Sequence, residues 1–424
     1  MNNVSKLLIN KELVIHKAYG NYIEDIQGKK YLDLVSTVWN TPLGHIGNAL
    51  LRKSVEENTA ADTPSIWHFI PKDIHVLTSQ LEERFPNYDK FHFTLSGSDA
   101  VETSLKAAWY YFKEKRKPRK KYVISFNESY HGITLGALSA TGENTVIKDL
   151  RGVISPCFIM TKPKINFLGN GQLEKRWSEE CGSFGDFKNA IDKIGGPENV
   201  AAFIYEPVLG SMGVYELDKE YLGAIYQYCA DNDIVTIADE VTTGLYRSGE
   251  LSYSVIQEVV PDILLLSKTI TNGAFPFAVV MLKKYLTAAP GYDYKWRHSL
   301  DYHPIGARVA SDVLERIEKL NNKGVIKATE RKFAKILSKF SKEHPGEVQI
   351  RQYGLMIAIE FLSGDGSKIA KEVFESLLRQ GYLTNNISYS LCLMPPFAVS
   401  STEISGFYRA LTEAHESVGT TLEK

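Results

Sequence analysis

Between residues 91 and 282, short apolar runs rich in β-branched and aromatic residues alternate with segments of helical periodicity. The apolar runs are KFHFTL, KYVISF, AAFIYEPV, DIVTIADEV, DILLLSK and FAVVML, and the helical patterns include DAVETSLKAAWYYFKEK and YLGAIYQYCADN. Because parallel strands need long crossover connections, this alternation predicts a mostly parallel sheet with helices on both faces. Ligands of such sheets bind beyond the carboxyl ends of the strands, so reactive residues are expected there.

The sequence outside this region has a different character. Near the N-terminus, GNYIEDIQGKKYLDLV contains short alternating segments around a turn at Gly28, which predicts β-strands. The part after Tyr302 contains long helical patterns, the strand-like stretch VQIRQYGLMIAIEF and a final helical segment. We therefore predict an α/β fold whose large domain, residues 61–305, contains the mostly parallel central sheet. A smaller α+β domain is predicted from an N-terminal segment, 1–60, and a C-terminal segment, 306–424.

The composition narrows the class of protein. Of the 424 residues, 44% are hydrophobic and 23% are charged, as in an ordinary globular enzyme. Lys and Arg total 49 against 50 for Asp and Glu, so no overall charge indicates nucleic acid or a membrane surface. The basic run KEKRKPRKK at residues 113–121 could serve an anionic partner, but a solvated helix end and loop is the favoured interpretation. We expect small-molecule substrates, and neither nucleic acid nor membrane as a partner.

The cysteines and the N-terminus bear on metal binding and on location. The four cysteines are scattered, without CxxC pairs or interleaved histidines, so no metal site and no disulfide framework is predicted. The N-terminus lacks the apolar core of a signal peptide, and no apolar run reaches the ~18 residues of a membrane span. We therefore expect a cytoplasmic protein, in a compartment that keeps thiols reduced.

Three predicted strands of the central sheet end in polar residues. The first, KFHFTL, continues into SGSD at residues 96–99 and then directly into a helical segment. A small-residue turn that opens a helix exposes backbone N–H groups to an anion, and Gly97 would let a phosphate approach closely. The same SxSD pattern is an ordinary N-cap sequence, so both interpretations stay open.

The other two strand ends carry ionisable side chains. DIVTIADEV contains Asp239 and Glu240, which could be metal ligands, acid/base groups or a strand end that reaches solvent. The run ILLL, typical of a strand buried on both faces, is followed by Ser267 and Lys268. A buried ammonium without a partner costs several kcal/mol or gives up its proton. Lys268 therefore either reaches the surface or takes part in chemistry.

Together, the three strand ends match what a protein must supply to pyridoxal 5'-phosphate (PLP). This cofactor needs an anchor for its phosphate, a carboxylate such as Asp239 for its pyridinium N–H, and a lysine such as Lys268 for a Schiff base. It also needs stacking partners for its ring. FNESYHGITLGALSATG offers Tyr130 and His131 on a Gly-rich turn, although in isolation the first is typical of core and the second of a surface histidine.

The chain resembles the class III PLP-dependent aminotransferases of fold type I, the ω-aminotransferase-like group that includes ornithine, 4-aminobutyrate and diaminopelargonate aminotransferases. The resemblance runs from about Gly20 to the C-terminal helix. It is carried, in order, by YLDLVSTVWNTPLGHIG, SGSDAVETSLKAA, YHGITLGALSATG, EPVLGSMGV, IADEVTTGLYRSG, PDILLLSK, HPIGA, YGLMIAIEF and LMPPF. It implies a fold type I PLP-dependent transferase that moves an amino group from an amine or amino acid to an aldehyde or oxo acid by a ping-pong mechanism. The alternative is an aminomutase, racemase or decarboxylase on the same fold.

The resemblance also implies roles for individual residues. Lys268 is the Schiff-base lysine and Asp239 the partner of the ring nitrogen, so these two are the catalytic candidates. Ser299, five residues before the Pro of the HP pair, would donate its hydroxyl to the phosphate in the partner subunit, where the family carries a Thr. Sites shared in this way imply a homodimer. The remaining cofactor-binding candidates are Gly97, Ser98, Tyr130, His131, Gly132, Glu206 and Val241.

One position departs from the family pattern. Members that act on amino acids carry an Arg ten residues before the first Pro of the LMPP motif, where it binds the substrate carboxylate, and counting back from Pro395 gives Asn385. Glu206 of the EPV motif normally pairs with that Arg and here lacks its usual partner. One interpretation is a substrate without a carboxylate beside the reacting carbon, such as an amine, a diamine or an aldehyde. The other is that Arg351 or Arg297 reaches in, or that a shifted loop changes the register.

The predicted substrate pocket is aromatic. Besides Asn385, the substrate-binding candidates are Trp39, which falls where ω-aminotransferases place an aromatic wall, and Trp67, with His68 beside it. Such a pocket suits an apolar or cationic substrate, although tryptophans at these positions also serve as packing. In a milder departure, Thr242 stands where the family often has a Gln near the cofactor hydroxyl.

Overall fold

The computed structural model describes residues 14–57, 69–150, 152–166, 181–287 and 298–422. None of the helices in these ranges combines the length and the apolar character needed to span a bilayer. The strands are β1 (Ile15–Tyr19), β2 (Tyr22–Asp25), β3 (Lys30–Asp33), β4 (Lys90–Thr94), β5 (Tyr122–Phe126), β6 (Phe158–Thr161), β7 (Val200–Tyr205), β8 (Val208–Leu209), β9 (Tyr215–Glu216), β10 (Val235–Asp239), β11 (Ile263–Leu266), β12 (Ala278–Leu282), β13 (Val348–Tyr353), β14 (Met356–Phe361), β15 (Tyr382–Leu383), β16 (Asn385–Ile387) and β17 (Ser390–Leu393). The helices are α1 (Ser36–Trp39), α2 (Gly47–Glu57), α3 (Lys72–Arg84), α4 (Gly97–Glu114), α5 (Leu135–Ala140), α6 (Asn144–Ile147), α7 (Phe184–Asp192), α8 (Lys219–Asp231), α9 (Tyr253–Ile256), α10 (Pro304–Asn322), α11 (Val325–Glu343), α12 (Gly366–Arg379) and α13 (Ser401–Leu422).

The central sheet has seven strands in the order β4-β12-β11-β10-β7-β5-β6. Strand β12 pairs antiparallel with both β11 and β4, whereas the other neighbours pair in parallel. All strands of this sheet except β12 therefore point the same way, and their carboxyl ends meet at one edge. Strands β7, β11 and β12 are buried at every residue, as expected for strands covered on both faces. The predicted mostly parallel sheet is confirmed.

Helices cover both faces of this sheet because side chains alternate along each strand. On β11, Ile263 and Leu265 belong to the apolar cluster that includes α4. Leu264 and Leu266, from the same strand, belong to the cluster formed with α3 and α10. One uninterrupted apolar run thus packs against two helical layers.

The elements at the two ends of the chain form the predicted smaller α+β part. Strands β13, β14, β17 and β16 form an antiparallel sheet, and β3 near the N-terminus pairs in parallel with β15 from the C-terminal third. Helices α10 to α13 supply much of the apolar core around these strands. Helix α10 packs against α3, which lies in the predicted large domain, and against α11, which lies in the predicted smaller domain. These contacts do not define a boundary, so the domain boundaries at residues 60 and 305 stay predictions.

The basic run at residues 113–121 lies at the amino edge of the central sheet, before the start of β5. It borders a surface groove of about 860 Å³. Within the run, Lys117 pairs with Asp233, and Arg119 pairs with Glu198. Neighbouring acidic groups therefore neutralise part of this charge, as expected for a solvated helix end followed by a loop.

Candidate active site

A cavity of about 180 Å³ opens at the carboxyl edge of the central sheet. Strands β4, β5, β7, β10 and β11 all end here, because parallel strands direct the segments that follow them to the same edge. Nine of the ten cofactor-binding candidates predicted from the sequence lie in its lining. The lining residues are Ser96, Gly97, Ser98, Tyr130, His131, Gly132, Glu206, Asp239, Val241, Thr242, Ser267 and Lys268.

The turn after β4 is both a helix cap and a wall of the cavity. Ser96 Oγ accepts the backbone N–H of Asp99 at 3.2 Å, which is the N-cap interaction of the 18-residue helix α4. Gly97 packs so closely on Val241 that an added Cβ would lie 3.1 Å from Val241 Cγ1. Because α4 begins at the cavity, its unpaired N–H groups and the positive end of its dipole favour an anion there.

The turn after β5 approaches this helix equally closely. Gly132 has φ +127°, and an added Cβ would lie 2.3 Å from Ser98 Oγ. The Ser98 hydroxyl instead accepts the backbone N–H of Ile133 at 3.1 Å. Only glycine satisfies both the backbone conformation and the close approach at this position, which keeps the two turns in contact.

Asp239 ends β10 and presents a buried, oriented carboxylate to the cavity. Its Oδ2 lies 2.8 Å from His131 Nδ1, and its Oδ1 accepts the backbone N–H of Val241 at 3.2 Å. His131 is itself held by its backbone N–H, which donates to Thr141 Oγ1 at 3.0 Å. Since the Asp239 side chain is only 5% exposed, these contacts rather than solvent determine its orientation. The geometry suits a carboxylate that accepts an N–H from a bound ring.

Lys268 follows β11 and turns into the cavity. Its Nζ donates to Thr242 Oγ1 at 2.6 Å and lies 5.1 Å from the centroid of the Trp39 ring. Burial lowers the pKa of Lys268, whereas the carboxylates of Glu206 and Asp239 act in the opposite direction. Its φ of +34° is unusual for a residue with a side chain, and such backbone strain costs about 1–3 kcal/mol. The contacts of Nζ with Thr242 and Trp39 show that the Lys268 amine points into the site and not to the surface.

Glu206 follows β7 and faces the same cavity. Burial, together with the nearby Asp239 carboxylate, raises the pKa of Glu206 to about 8. The backbone N–H of Tyr130 donates to Glu206 Oε1 at 2.8 Å and opposes part of this rise. Lys268 is the cation that acts on Glu206 here, in place of the family's arginine. A cationic group on a ligand would stabilise the ionised form of this carboxyl.

Glu240, the neighbour of Asp239, is hydrogen-bonded within the fold and does not line the cavity. Its buried carboxylate accepts hydrogen bonds from the Ser252 hydroxyl, from the Tyr253 N–H, and from both the N–H and the hydroxyl of Ser254. These bonds hold α9 against the end of β10. Consecutive residues of an extended chain point to opposite sides, so the two carboxylates do not form a paired acidic site.

The aromatic substrate-pocket candidates are only partly covered by the described residues. Trp39 does not line the cavity itself, but its ring lies 5.1 Å from Lys268 Nζ and packs on Gly210, where an added Cβ would lie 3.0 Å from Trp39 Cζ3. Trp67 and His68 lie outside the described residues. The aromatic wall of the substrate pocket therefore stays a prediction at all three positions.

Asn385 and Ser299 do not line the cavity of their own chain. Asn385 lies in β16 and pairs with Cys392 in β17. Ser299 lies in an exposed turn just before α10. The predicted contact of Asn385 with substrate and the predicted contact of Ser299 with a phosphate in the partner subunit both stay predictions.

Arg351 is not available to replace the missing arginine. Its side chain is 1% exposed and pairs with Glu360 through Nη1. Its Nε donates to the carbonyls of Gly213 and Val214 at 3.1 Å, and its Nη2 donates to Gly213 O at 2.7 Å and to Ser390 Oγ at 3.1 Å. Every nitrogen of the guanidinium is thus engaged within the fold. The expectation that Arg351 could bind a substrate carboxylate is wrong, and Arg297 lies outside the described residues.

The lining also includes side chains to which the sequence assigned no role. Thr242 was visible only as a departure from a family pattern, yet it accepts the hydrogen bond from Lys268. The Ser267 hydroxyl donates to the Phe277 carbonyl at 3.1 Å, which ties the segment before Lys268 to β12. In the sequence, only the position of Thr242 just beyond a predicted strand end indicated that it could lie in the site.

These residues fit PLP. The start of α4, which lies at the cavity, suits a phosphate. Asp239 offers a buried and oriented acceptor for a ring N–H, and Lys268 offers a buried amine within the same cavity. Val241 and Tyr130 contribute side chains to the lining between these groups.

Three comparisons with known proteins extend over most of the chain. The family model for class III aminotransferases matches residues 5–414. Among curated relatives, vanillin aminotransferase of Capsicum annuum is 28% identical, with 95% of this chain and 91% of that protein covered. Gamma aminobutyrate transaminase 2 of Solanum lycopersicum is 29% identical, with 96% and 93% covered. Among solved structures, a PLP-bound amine transaminase from an uncultivated Pseudomonas species gives a TM-score of 0.84 at 26% identity, with 96% of this chain and 95% of that chain covered.

Proposed function

The chain belongs to the class III aminotransferase family, and from this premise we propose that its amino donors carry no carboxylate beside the reacting carbon. The protein is a PLP-dependent aminotransferase that serves a donor and a carbonyl acceptor in turn by a ping-pong mechanism. An aminomutase, racemase or decarboxylase is not favoured, because the relatives are named as transaminases. The observation that carries the proposal is a cavity lining with two carboxylates and no arginine among the described residues.

The chemistry divides between the cofactor and the protein. When bound, PLP supplies an electron-withdrawing ring that stabilises the charge left on a substrate carbon as its proton leaves. Lys268 Nζ acts as nucleophile and base, and burial supports both roles because it lowers the pKa of this amine. Asp239 accepts the ring N–H, and His131 keeps the Asp239 carboxylate oriented. Lys268 Nζ would remove the proton from the donor carbon and carry it to the cofactor carbon that accepts it during aminotransfer.

The buried arginines of the described residues are engaged elsewhere, which supports a substrate without an α-carboxylate. Arg351 is saturated by its own network. Arg247 Nη1 donates to the Pro395 carbonyl at 2.6 Å, and its Nη2 donates to Ser36 Oγ at 3.3 Å. Neither guanidinium offers the free bidentate face that a carboxylate requires.

The charges that do face the cavity favour a cation. Glu206 and Asp239 lie on the same lining, so a substrate carboxylate placed there would face the Asp239 carboxylate in a poorly solvated space and would further raise the pKa of Glu206. The second ammonium of a diamine would instead compensate Glu206, and the Trp39 ring offers a face to a cation or an apolar chain. The relatives named for vanillin, an aldehyde, and for amines support substrates of this kind.

We expect carboxylate-free amines to react with at least about tenfold higher kcat/KM than α-amino acids of matched skeleton, a difference of about 1.4 kcal/mol. Suitable pairs are pentylamine with norleucine and benzylamine with phenylglycine. The visible absorbance of the bound cofactor follows the donor half-reaction when no acceptor is present. Equal rates for the two members of each pair would contradict the proposal.

The variant Glu206→Gln separates the diamine from simpler amines. Glutamine keeps an oxygen for the Tyr130 N–H but removes the negative charge. Hydrogen bonds to charged groups contribute about 1.5–3 kcal/mol, so kcat/KM for 1,5-diaminopentane should fall at least tenfold. Pentylamine, which lacks the second ammonium, is the matched control and should change less than threefold. An equal loss of kcat/KM for both amines would contradict the proposal that Glu206 binds the second ammonium of the diamine.

We also propose a homodimer with shared active sites, located in the cytoplasm. The position of Ser299 in an exposed turn supports the dimer, because such a turn is accessible to a second subunit. The four cysteines are all free, which agrees with a reducing compartment. Light scattering of the purified protein should give a mass twice that of the chain, and a monomer that is fully active would contradict the shared site.

A further inference from the structure

Two histidines and a glutamate come together in the smaller α+β part of the molecule. Glu347 Oε2 lies 3.0 Å from His415 Nε2 and 4.0 Å from His344 Nδ1. One nitrogen or oxygen from each residue lies within 4.8 Å of the other two. None of the three lines the active-site cavity. The scattered cysteines gave no metal site in the sequence analysis, and His415 lies far from the other two residues along the chain.

A tight turn holds the first two of these residues together. The segment HPGE places His344 at the C-cap of α11 and Glu347 just before β13. The backbone N–H of Glu347 donates to the His344 carbonyl at 3.2 Å, and Gly346 has φ +78°. Proline at the second position and a positive-φ glycine at the third are the requirements of a type II turn. The spacing of the His344 and Glu347 side chains is therefore set by local backbone geometry.

His415 reaches this turn from α13. Its side chain is 7% exposed and packs against the rings of Phe340 and Phe361, with centroids 5.6 Å and 5.5 Å away. The His344 and His415 rings are nearly perpendicular, with centroids 4.5 Å apart. An aromatic floor thus fixes the imidazoles, whereas the Glu347 side chain, 47% exposed, keeps one side open to solvent.

The hydrogen bonding of the two imidazoles is incomplete. His344 Nε2 and His415 Nδ1 are shielded from solvent and have no hydrogen-bond partner within the described residues. The other nitrogen of each ring, His344 Nδ1 and His415 Nε2, faces Glu347 Oε2, and these are the atoms that a shared ion would engage. A single hydrogen bond between His415 and Glu347 leaves His344 unexplained.

We propose that His344, Glu347 and His415 bind a divalent transition-metal ion of the Zn²⁺ type. Two imidazole nitrogens and one carboxylate oxygen, with a solvent position left open, form a ligand set that Zn²⁺ accepts and that Mg²⁺ and Ca²⁺ do not favour. Bond lengths of about 2.0–2.2 Å place tetrahedral ligand atoms about 3.3 Å apart. The ligand atoms now lie between 3.0 Å and 4.8 Å apart, so the side chains must draw together to reach that value. The ion would fasten α13 to the turn between α11 and β13.

The test uses the PLP-loaded enzyme, treated with a chelator and then dialysed. Calorimetric titration with Zn²⁺ should show one equivalent per chain, and saturating Zn²⁺ should raise the unfolding midpoint by about 3 °C or more, because the ion binds the folded state. Co²⁺ should give the intense visible bands of a tetrahedral complex. If no Zn²⁺ binds at concentrations up to about 100 μM, the proposal is overturned.

Variants assign the binding to this cluster rather than to cysteines or to the cofactor. Glu347→Gln and His344→Asn should each weaken Zn²⁺ binding at least tenfold and abolish the rise in the unfolding midpoint. Both side chains lie at or near the surface, so these variants test the site even if a substitution of the buried His415 fails to fold. His75→Ala, at an exposed position of α3, is the matched control and should bind as the unaltered enzyme does. Binding that survives both Glu347→Gln and His344→Asn would also overturn the proposal.

Discussion

Lys268→Ala should lower the aminotransfer rate by about four orders of magnitude or more, the scale seen when a catalytic nucleophile is removed. Lys268 is the one lysine in the lining of the cavity among the described residues. Its loss removes both the covalent anchor for the cofactor and the base that moves the substrate proton. No neighbouring group can substitute, because the hydroxyl of Thr242 is far less basic than an amine.

Two measurements separate this chemical role from a general loss of structure. Borohydride reduction of the unaltered enzyme should fix the cofactor to the peptide that contains Lys268, as detected by mass spectrometry, whereas Lys268→Ala should retain none. Lys283→Ala is the matched control, since Lys283 also follows a strand of the central sheet but pairs with Asp262 at 3.1 Å outside the cavity lining. Its activity should change less than twofold. More than about 1% of the activity remaining in Lys268→Ala would contradict the assigned role.

Asp239→Asn should have the second largest effect, a fall in kcat of about three orders of magnitude. The asparagine oxygen can still accept the Val241 N–H, and its NH2 group can donate to His131 Nδ1, so the side chain keeps its place. The negative charge that favours a protonated ring nitrogen is lost, and the ring then withdraws electrons poorly. The measurement is kcat at saturating donor, together with the absorption spectrum and the affinity for added PLP.

Glu240→Gln is the informative comparison for this prediction. Glu240 stands next to Asp239 in the sequence, but its carboxylate is bonded to Ser252, Tyr253 and Ser254. Loss of charge there weakens hydrogen bonds worth about 1.5–3 kcal/mol each, so the unfolding midpoint should fall while kcat stays within about threefold. Asp239→Asn should show the reverse, with little change in the unfolding midpoint. The same pattern in both variants would contradict the division of roles.

Much of the candidate site was predictable because strand ends are local features. The apolar runs before Asp239 and Lys268 predict buried parallel strands, and the direction of such strands brings their carboxyl ends together. Gly97 and Gly132 were predicted as cofactor-binding residues, and both lie in the lining of the cavity. The family resemblance then connected these residues to one cofactor.

Other features depended on contacts between distant segments. The sequence could not show that Thr242 accepts the Lys268 hydrogen bond, because side-chain orientation after a strand end depends on the packing of the whole edge. It left Arg351 as a possible carboxylate ligand, whereas the fold engages that side chain with Gly213 and Glu360. Long side chains of this kind reach several alternative partners, and only the three-dimensional neighbours decide among them.

By itself, the sequence determined the mostly parallel central sheet and the cofactor, and it predicted the strand-end residues that line one cavity, because hydrophobic periodicity and strand-end chemistry are properties of short segments. Only the tertiary structure decided which ionisable side chains lie close to one another. It placed Glu240 in hydrogen bonds that hold α9, left Glu206 in a cavity whose described lining contains no arginine, and brought His415 to the turn that contains His344. The physical reason is that electrostatic and metal-binding environments depend on distances of a few ångströms between groups far apart in the chain, which no local pattern specifies.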